Sequence, residues 1–467
     1  MTRIAIIGGG ISGLAAAFEL EQRRTSGADV EYTLYESSPR FGGVLRTDQV
    51  DGCIVEAGPD SFLTEKPWAT DLSRLVGLGD QLIGSNDSDR KTYILTRGRL
   101  VEMPPGLMFM VPTKILPTGL SPLFSWSTKL RMAQELFHAP RSVDRDESVA
   151  EFVERHYGRE MVDRLADPLL SGVYGGDAAN LSVRAVLPRF AEMERTHGSL
   201  GRALLAARHQ MKQSPGPGHS TPPLFTSLKN GMQQLGETVV SKLNPSFLLT
   251  GVTVQAVQPE AGGWLVSAGL DSDQFDAAIV ALPALAAANV LRMASQDLSR
   301  ELGAVEYSSS ITVGLGYGRE VRATLPPGFG FLVPRSEGKL LLAATFVHNK
   351  FPHRAPEDRA LLRCFFAGGS AEKLWPLSDN QIADIAHHEL EQIASVPGKP
   401  LFARVYKWKS AMAQYSVGHL ERLERIERLR GQLPGLALAG NAYRGIGVPD
   451  CVRSGREAAA EILKAAL

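Results

Sequence analysis

Two stretches of this sequence present the residue types that bind a charged ligand on backbone amides, and they stand at opposite ends of the chain. In "IAIIGGGISGLAAAFEL" (4–20), Gly8, Gly10 and Gly13 form G-x-G-x-x-G between an apolar strand pattern and an alanine-rich helix pattern. The first glycine permits a tight turn, the second lets the backbone approach a pyrophosphate, and the third lets helix and strand pack closely. Ile11 and Ser12 fall in the first helical turn, where N–H groups have no partner within the helix. Glu36 closes the next strand pattern, "EYTLYES" (31–37), with Ser37 beside it. That is about 20 residues on, the separation at which an acidic side chain accepts ribose hydroxyls and disfavours a 2′-phosphate. Glycines alone make a turn; glycines in a βαβ context with this glutamate make a dinucleotide site. The second stretch, "GIGVPDCVRSGREAAAEIL" (445–463), leads small residues into another alanine-rich helix.

The segment "ESSPRFGG" (36–43) separates FAD from NAD. Arg40 and the pair Gly42–Gly43 set a cation and an unobstructed backbone just past the ribose-binding strand, which suits the long pyrophosphate of FAD. A non-covalent FAD is expected; Cys451, close to the second helix start, is the thiol to check.

The elements that must position these groups follow from the pattern of the chain. Residues 4–7 read as a buried strand, 12–24 as a helix and 31–37 as a strand, a βαβ opening. Region 121–211 is mainly helical, with "STKLRMAQELF" (127–137) and "VAEFVERHYG" (149–158) at helical spacing. "KQSPGPGHSTPP" (212–223) reads as an exposed loop. Strands return at 246–257, 263–268 and "DAAIVALP" (276–283), and a strand-rich stretch spans 305–368. A helix at 379–395, a strand near 401–408, the amphipathic "LERLERIERLR" (420–430) and the short strand "LALAG" (436–440) lead to the closing helix. If "LALAG" joins the sheet begun by residues 4–7, one domain is assembled from both ends of the chain. The expected fold is α/β: a Rossmann-type FAD-binding domain in three parts (1–100, 226–294, 401–467), a helical insertion (101–225) and a strand-rich substrate domain (295–400).

Composition excludes other classes. With 50 Lys+Arg against 50 Asp+Glu over 467 residues, the net charge is zero, which argues against a general nucleic-acid binder. Three dispersed cysteines suggest neither a disulfide frame nor a zinc site, and no metal site is expected. The apolar run at 4–7 leaves no room for a signal peptide, and no apolar stretch reaches the roughly 18–20 residues of a membrane helix. A cytoplasmic protein is expected. Segment 103–126, "MPPGLMFMVPTKILPTGLSPLFSW", is too broken by prolines to span a bilayer; it suits a weak peripheral membrane contact through Phe109 or Trp126, or packing inside the helical insertion.

The glutamate, arginine and glycine-pair spacing resembles the flavin-containing amine oxidase superfamily. "EAGPDSFLTEK" (56–66), "PLLSGVYGGD" (168–177), "WKSAMAQYSVGH" (408–419) and "GNAYRGIGVPDC" (440–451) are similar to the oxygen-dependent porphyrinogen oxidases of haem synthesis. The resemblance is strongest at both ends and weakest at 295–400. It implies flavin contacts from Gly58, Pro59, Asp60, Ser61, Val254 and Trp408, and a flavin ring beside Ile446, Gly447 and Val448, where N–H groups and helix dipole stabilise negative charge. Val44 stands where the family's loop can carry a lysine. The resemblance also brings Lys66 and Phe329 toward the substrate, although a lone lysine is ordinarily a surface charge and a strand phenylalanine a packing residue. It implies oxidation of coproporphyrinogen III or protoporphyrinogen IX in three two-electron steps, with dioxygen reduced to three hydrogen peroxides. The cofactor carries that chemistry, and no catalytic base is assigned. "GPDSFLTEK" favours coproporphyrinogen III. An amine oxidase, a phytoene-desaturase-like enzyme and a non-catalytic binder on the same fold are the competing readings.

Overall fold

The computed structural model describes residues 1–112, 114–141, 145–213 and 222–466. Most of the expected loop at 212–223 lies outside them. The central element is a five-stranded parallel sheet, in the order Leu248–Thr250, Val30–Glu36, Thr2–Ile7, Ala277–Val280, Leu436–Leu438. Ile6 pairs with Leu34 on one side and Ile279 on the other, and Ile279 pairs with Ala437. Such strands are covered on both faces, which is why 4–7 and 277–280 read as continuous apolar runs. "LALAG" therefore does enter the sheet of the opening strand, one strand removed.

One face is covered by helices Ile11–Thr25 and Val448–Ala466, which pack on each other around Leu14, Leu20, Val452 and Ile462. Their approach requires Gly455: a Cβ there would stand 2.0 Å from the carbonyl oxygen of Ser12. The other face is covered by the hairpins Val254–Glu260, Gly263–Ala268 and Asp271–Phe275, with Trp264 buried, and by helix His419–Arg430 through Leu423 and Ile426.

A second, seven-stranded sheet runs in the order 402–413, 307–318, 359–367, 343–346, 330–332, 92–96, 99–102. Two of its segments cross the boundaries drawn from sequence at 100 and 400. Strand Phe402–Ala413 pairs along Tyr307–Gly318, Val405 opposite Val313 and Trp408 opposite Ser310. Strand Thr92–Thr96 pairs in parallel with Gly330–Leu332. Both are pairings over long sequence separation, which local pattern does not encode.

The helical insertion packs Phe152, Tyr157, Leu165 and Leu200 into its own core. An ionic cluster lies inside it. His156 is fully buried, its Nδ1 3.3 Å from Glu135 and its Nε2 3.3 Å from Glu194. Arg155 joins Glu194 to Glu147, and His138 lies against the His156 ring. Glu135 also caps helix Leu200–Gln213, accepting the N–H groups of Leu200 (2.5 Å) and Gly201 (3.2 Å). Burial pushes the His156 pKa down, but the two carboxylates against its ring outweigh it and the net shift is upward. Burial likewise works against Glu194, yet His156 and Arg155 hold it at about 2. A raised histidine pKa stabilises the fold fully below the unfolded value near 6.5, and that stability is lost as pH rises through the folded value. Thermal unfolding followed by circular dichroism should therefore separate wild type from His156→Gln by a wider gap at pH 6 than at pH 9.

Candidate functional site

The glycine turn follows the opening strand at the carboxyl edge of the parallel sheet. Gly8 has φ +107°, and its carbonyl oxygen would stand 1.8 Å from any Cβ on Gly13, so both positions need glycine. Gly10 differs: its backbone is extended (φ −68°, ψ 177°), and a Cβ there would meet no protein atom within 4 Å. Of the three motif glycines, Gly10 is the one with open space above it. Glu36 faces the turn, its Oε2 accepting the Gly9 N–H at 2.8 Å and its Oε1 the Ser38 N–H at 2.8 Å. A carboxylate has about four lone-pair sites, so acceptor capacity remains for hydroxyls. Ser37 beside it is exposed.

Arg40 acts through the backbone. Its guanidinium donates to the carbonyls of Phe41 (3.2 Å), Leu45 (3.1 Å) and Gly43 (2.5 Å), closing the Gly42–Gly43 turn, where both φ values are positive. The Gly42 N–H donates to the Gly9 carbonyl at 2.8 Å, which lays this second turn against the first. Three of the five Arg40 N–H donors hold the loop.

Segment 56–61 forms a further wall. Glu56 is buried and accepts the Thr47 hydroxyl (2.7 Å), the Met232 N–H (2.8 Å) and the guanidinium of Arg354, itself fully buried. Gly58 lies so close to Val44 that a Cβ would fall 2.1 Å from its carbonyl oxygen, and the Gly58 carbonyl accepts from Arg363. The Asp60 carbonyl accepts the Ser227 hydroxyl at 2.7 Å. Carbonyls are thus turned into the protein, while the N–H groups of Gly58, Asp60 and Ser61 have no partner among the described residues; Pro59 has none to offer. Trp408 is half-buried and donates its indole N–H to the Ala57 carbonyl at 2.8 Å, which brings it beside this wall.

Lys350 escaped the sequence reading. It is 8% exposed, and its ammonium donates to both carboxylate oxygens of Asp60 (3.2 and 3.0 Å) and to Ser61 Oγ (3.0 Å). Burial raises the Asp60 pKa, but the Lys350 and Arg363 charges hold it well below the usual carboxylate range. A lysine in "VHNKFPHR" carries no sequence signal that it will face residue 60.

The closing turn completes the site. Gly445, at φ +123°, donates its N–H to the Tyr415 hydroxyl at 2.7 Å, and that hydroxyl donates to the Asn441 carbonyl at 2.8 Å. The Tyr415 ring stacks on His419 at 4.0 Å. The N–H groups of Ile446 and Gly447 have no partner among the described residues, and Val448 begins the helix. Cys451 is buried next to Ser12, and burial pushes the thiol up to about 12. The two helix starts are therefore neighbours. Lys66 ion-pairs with the buried Asp450 of the closing helix at 2.7 Å, so part of its charge is already met within the protein. Val254 is buried at the strand after residues 251–252, which hydrogen-bond to Ser38 and Glu36. Phe329 is buried immediately before strand Gly330–Leu332 of the seven-stranded sheet, its N–H donating to the Lys91 carbonyl and its carbonyl accepting the Phe346 N–H.

The donor set fits a flavin dinucleotide: open space at Gly10 for a pyrophosphate, Glu36 for ribose, and outward amides at 58–61 and 446–447. Comparison with known proteins points the same way. A curated coproporphyrinogen III oxidase of Bacillus subtilis (strain 168) is 34% identical over 467 residues, covering 98% of this chain and 97% of that protein. Protoporphyrinogen oxidase 1, chloroplastic, of Arabidopsis thaliana is 29% identical over 486 residues, covering 99% of this chain and 88% of that protein. A crystal structure from Exiguobacterium sp. 255-15, assigned as a protoporphyrinogen oxidase, superposes with TM-score 0.86 at 29% identity, covering 99% and 98% of the two chains. The flavin containing amine oxidoreductase model matches residues 11–463, and with that match and this cradle the chain belongs to that family: it is an FAD-dependent oxidoreductase.

Proposed function

We propose that this enzyme oxidises coproporphyrinogen III to coproporphyrin III in haem synthesis, removing six hydrogens while three dioxygen molecules become hydrogen peroxide. The observation carrying this reading is likeness along the whole chain to the Bacillus subtilis coproporphyrinogen III oxidase. Bound FAD supplies a two-electron acceptor that dioxygen can reoxidise. The chain's own residues bind and orient it: Gly8, Gly10, Ile11, Ser12 and Gly13 at the pyrophosphate, Glu36 and Ser37 at the ribose, Arg40, Gly42 and Gly43 beside them. Gly58, Pro59, Asp60, Ser61, Val254, Trp408, Ile446, Gly447 and Val448 line the remainder. Protoporphyrinogen IX is the second reading, favoured by relatives named for that substrate. The tetra-acid carries two more propionates, and a site built to pair them rejects an analogue that leaves its donors unpaired. Lys66 keeps N–H donors beyond the one on Asp450 and is the proposed selector.

A peripheral membrane contact belongs to the same proposal. Leu116, Leu120, Trp126 (80% exposed), Leu130 and Phe137 form exposed apolar ends on helices 115–120 and 126–135 and just beyond, with Lys114 and Arg131 exposed among them. Phe109 instead packs on Phe190, ring centroids 6.1 Å apart. No helix among the described residues is long and apolar enough to cross a membrane.

Gly10→Val tests the cofactor assignment. The added side chain meets no protein atom at its Cβ, so the apoprotein should unfold within about 0.5 kcal/mol of wild type, the range of neutral substitutions. Absorbance near 450 nm should be lost, whereas wild-type FAD should appear wholly in the supernatant after acid precipitation. Steady-state kinetics with both porphyrinogens test the substrate. Wild type should have the higher kcat/KM on coproporphyrinogen III, and Lys66→Ala should narrow the ratio; a wild-type preference for protoporphyrinogen IX reverses the reading. Co-sedimentation with anionic liposomes should be weak, lowered by Trp126→Ser or Leu120→Ser, and abolished by carbonate. Carbonate-resistant insertion would contradict a peripheral contact.

A further inference from the structure

Strand Arg359–Ala367 of the seven-stranded sheet and the short helices Val347–Lys350 and Pro352–Arg354 that lead into it send three cations across to the wall at 56–61, and each meets a different group. Arg354 meets the Glu56 carboxylate, Arg363 the Gly58 carbonyl, and Lys350 the Asp60 carboxylate. Lys350 is the most constrained. All three of its N–H donors are directed to Asp60 and Ser61, and its ammonium lies 4.5 Å from the ring centre of Phe225 and 5.3 Å from that of Phe351. Its own carbonyl accepts the Asn86 N–H at 3.0 Å, which anchors the backbone from which it reaches. Asp60 takes the Ser61 hydroxyl at 2.7 Å as well, so carboxylate, hydroxyl and ammonium form a closed triangle.

That triangle decides which way residues 58–61 face. With the Gly58 and Asp60 carbonyls and the Asp60 and Ser61 side chains all bonded inward, the segment's amides are what remain for a ligand. We propose that Lys350 is a positioning residue for FAD, acting through the Asp60 carboxylate to hold segment 58–61 in its amide-outward shape. This rests on the assignment of that segment to the cofactor. Lys350 touches no reacting atom in this arrangement, and its effect reaches the flavin through Asp60 and the adjacent Ser61.

A double-mutant cycle on FAD dissociation tests it, with Lys350→Met, Asp60→Asn and the double variant, alongside Lys350→Arg. Each single neutral variant should weaken FAD binding by at least about tenfold, the scale of one charge-assisted hydrogen bond. Each should also alter the visible circular dichroism of the bound flavin. The double variant should be no worse than the weaker single, because the two residues act as one unit. Lys350→Arg should recover part of the affinity and the wild-type spectrum. Unchanged FAD affinity and flavin spectrum in Lys350→Met, with only apoprotein melting lowered, would overturn the proposal, as would fully additive effects. If Lys350→Met does not fold, Asp60→Asn and Lys350→Arg carry the same spectral comparison. A wild type that binds no FAD defeats the cofactor assignment itself, whereas a yellow wild type with indifferent variants defeats only the role of Lys350.

Discussion

Every other feature depends on the parallel direction of the central strands. Because Thr2–Ile7, Ala277–Val280 and Leu436–Leu438 run the same way, each delivers its following turn to one edge of the sheet. The glycine turn after Ile7 and the turn that leads to Val448 emerge side by side, and the helices they start pack together. Open α/β sheets bind ligands at that carboxyl edge, where helix N-termini converge. In the proposed arrangement two such N-termini serve one cofactor, and the close approach of Gly455 to the Ser12 carbonyl holds their helices together.

The second constraint is electrostatic. The wall at 56–61 belongs to the first part of the chain, but it is bonded to Arg363 on strand Arg359–Ala367 of the other sheet and to Lys350 and Arg354 from the helical connection just before that strand. Arg354 and Glu56 are both buried, Arg354 also donating to Ser227 Oγ at 2.6 Å. Breaking such a pair from one side costs about 3–5 kcal/mol, because a charge is left buried and unpaired. The interface between the two sheets is consequently a set of charges that must all be met, and meeting them orients the amides at the site. On the proposed assignment of segment 58–61 to the cofactor, the network that joins these elements also shapes the cofactor site.

Much of this was legible in the residues themselves. Gly8 and Gly13 meet in three dimensions the steric demands that their spacing predicts, and Glu36 faces the same turn, because a strand–turn–helix is local and its glycine requirements are set by neighbours within a few residues. The closing helix and the apolar "LALAG" strand were readable for the same reason. Arg40 shows where spacing stops being sufficient: three of its five N–H donors go to the carbonyls of its own turn. Phe109 and Trp126 lie in one proline-broken apolar stretch, and only packing separates them, the first against Phe190 and the second into solvent.

The sequence by itself determined the βαβ cradle, the preference for a dinucleotide without a 2′-phosphate, and the assembly of one domain from both termini. Each follows from periodicity, glycine geometry and charge within short windows. Only the tertiary structure decided that strands 92–102 and 402–413 belong to the seven-stranded sheet, that Lys66 faces Asp450, and that Lys350 holds Asp60. Those are pairings between residues up to 384 positions apart. A charged side chain has the same local signature whether it meets water or a buried partner, and it is folding that brings the partner within 3 Å.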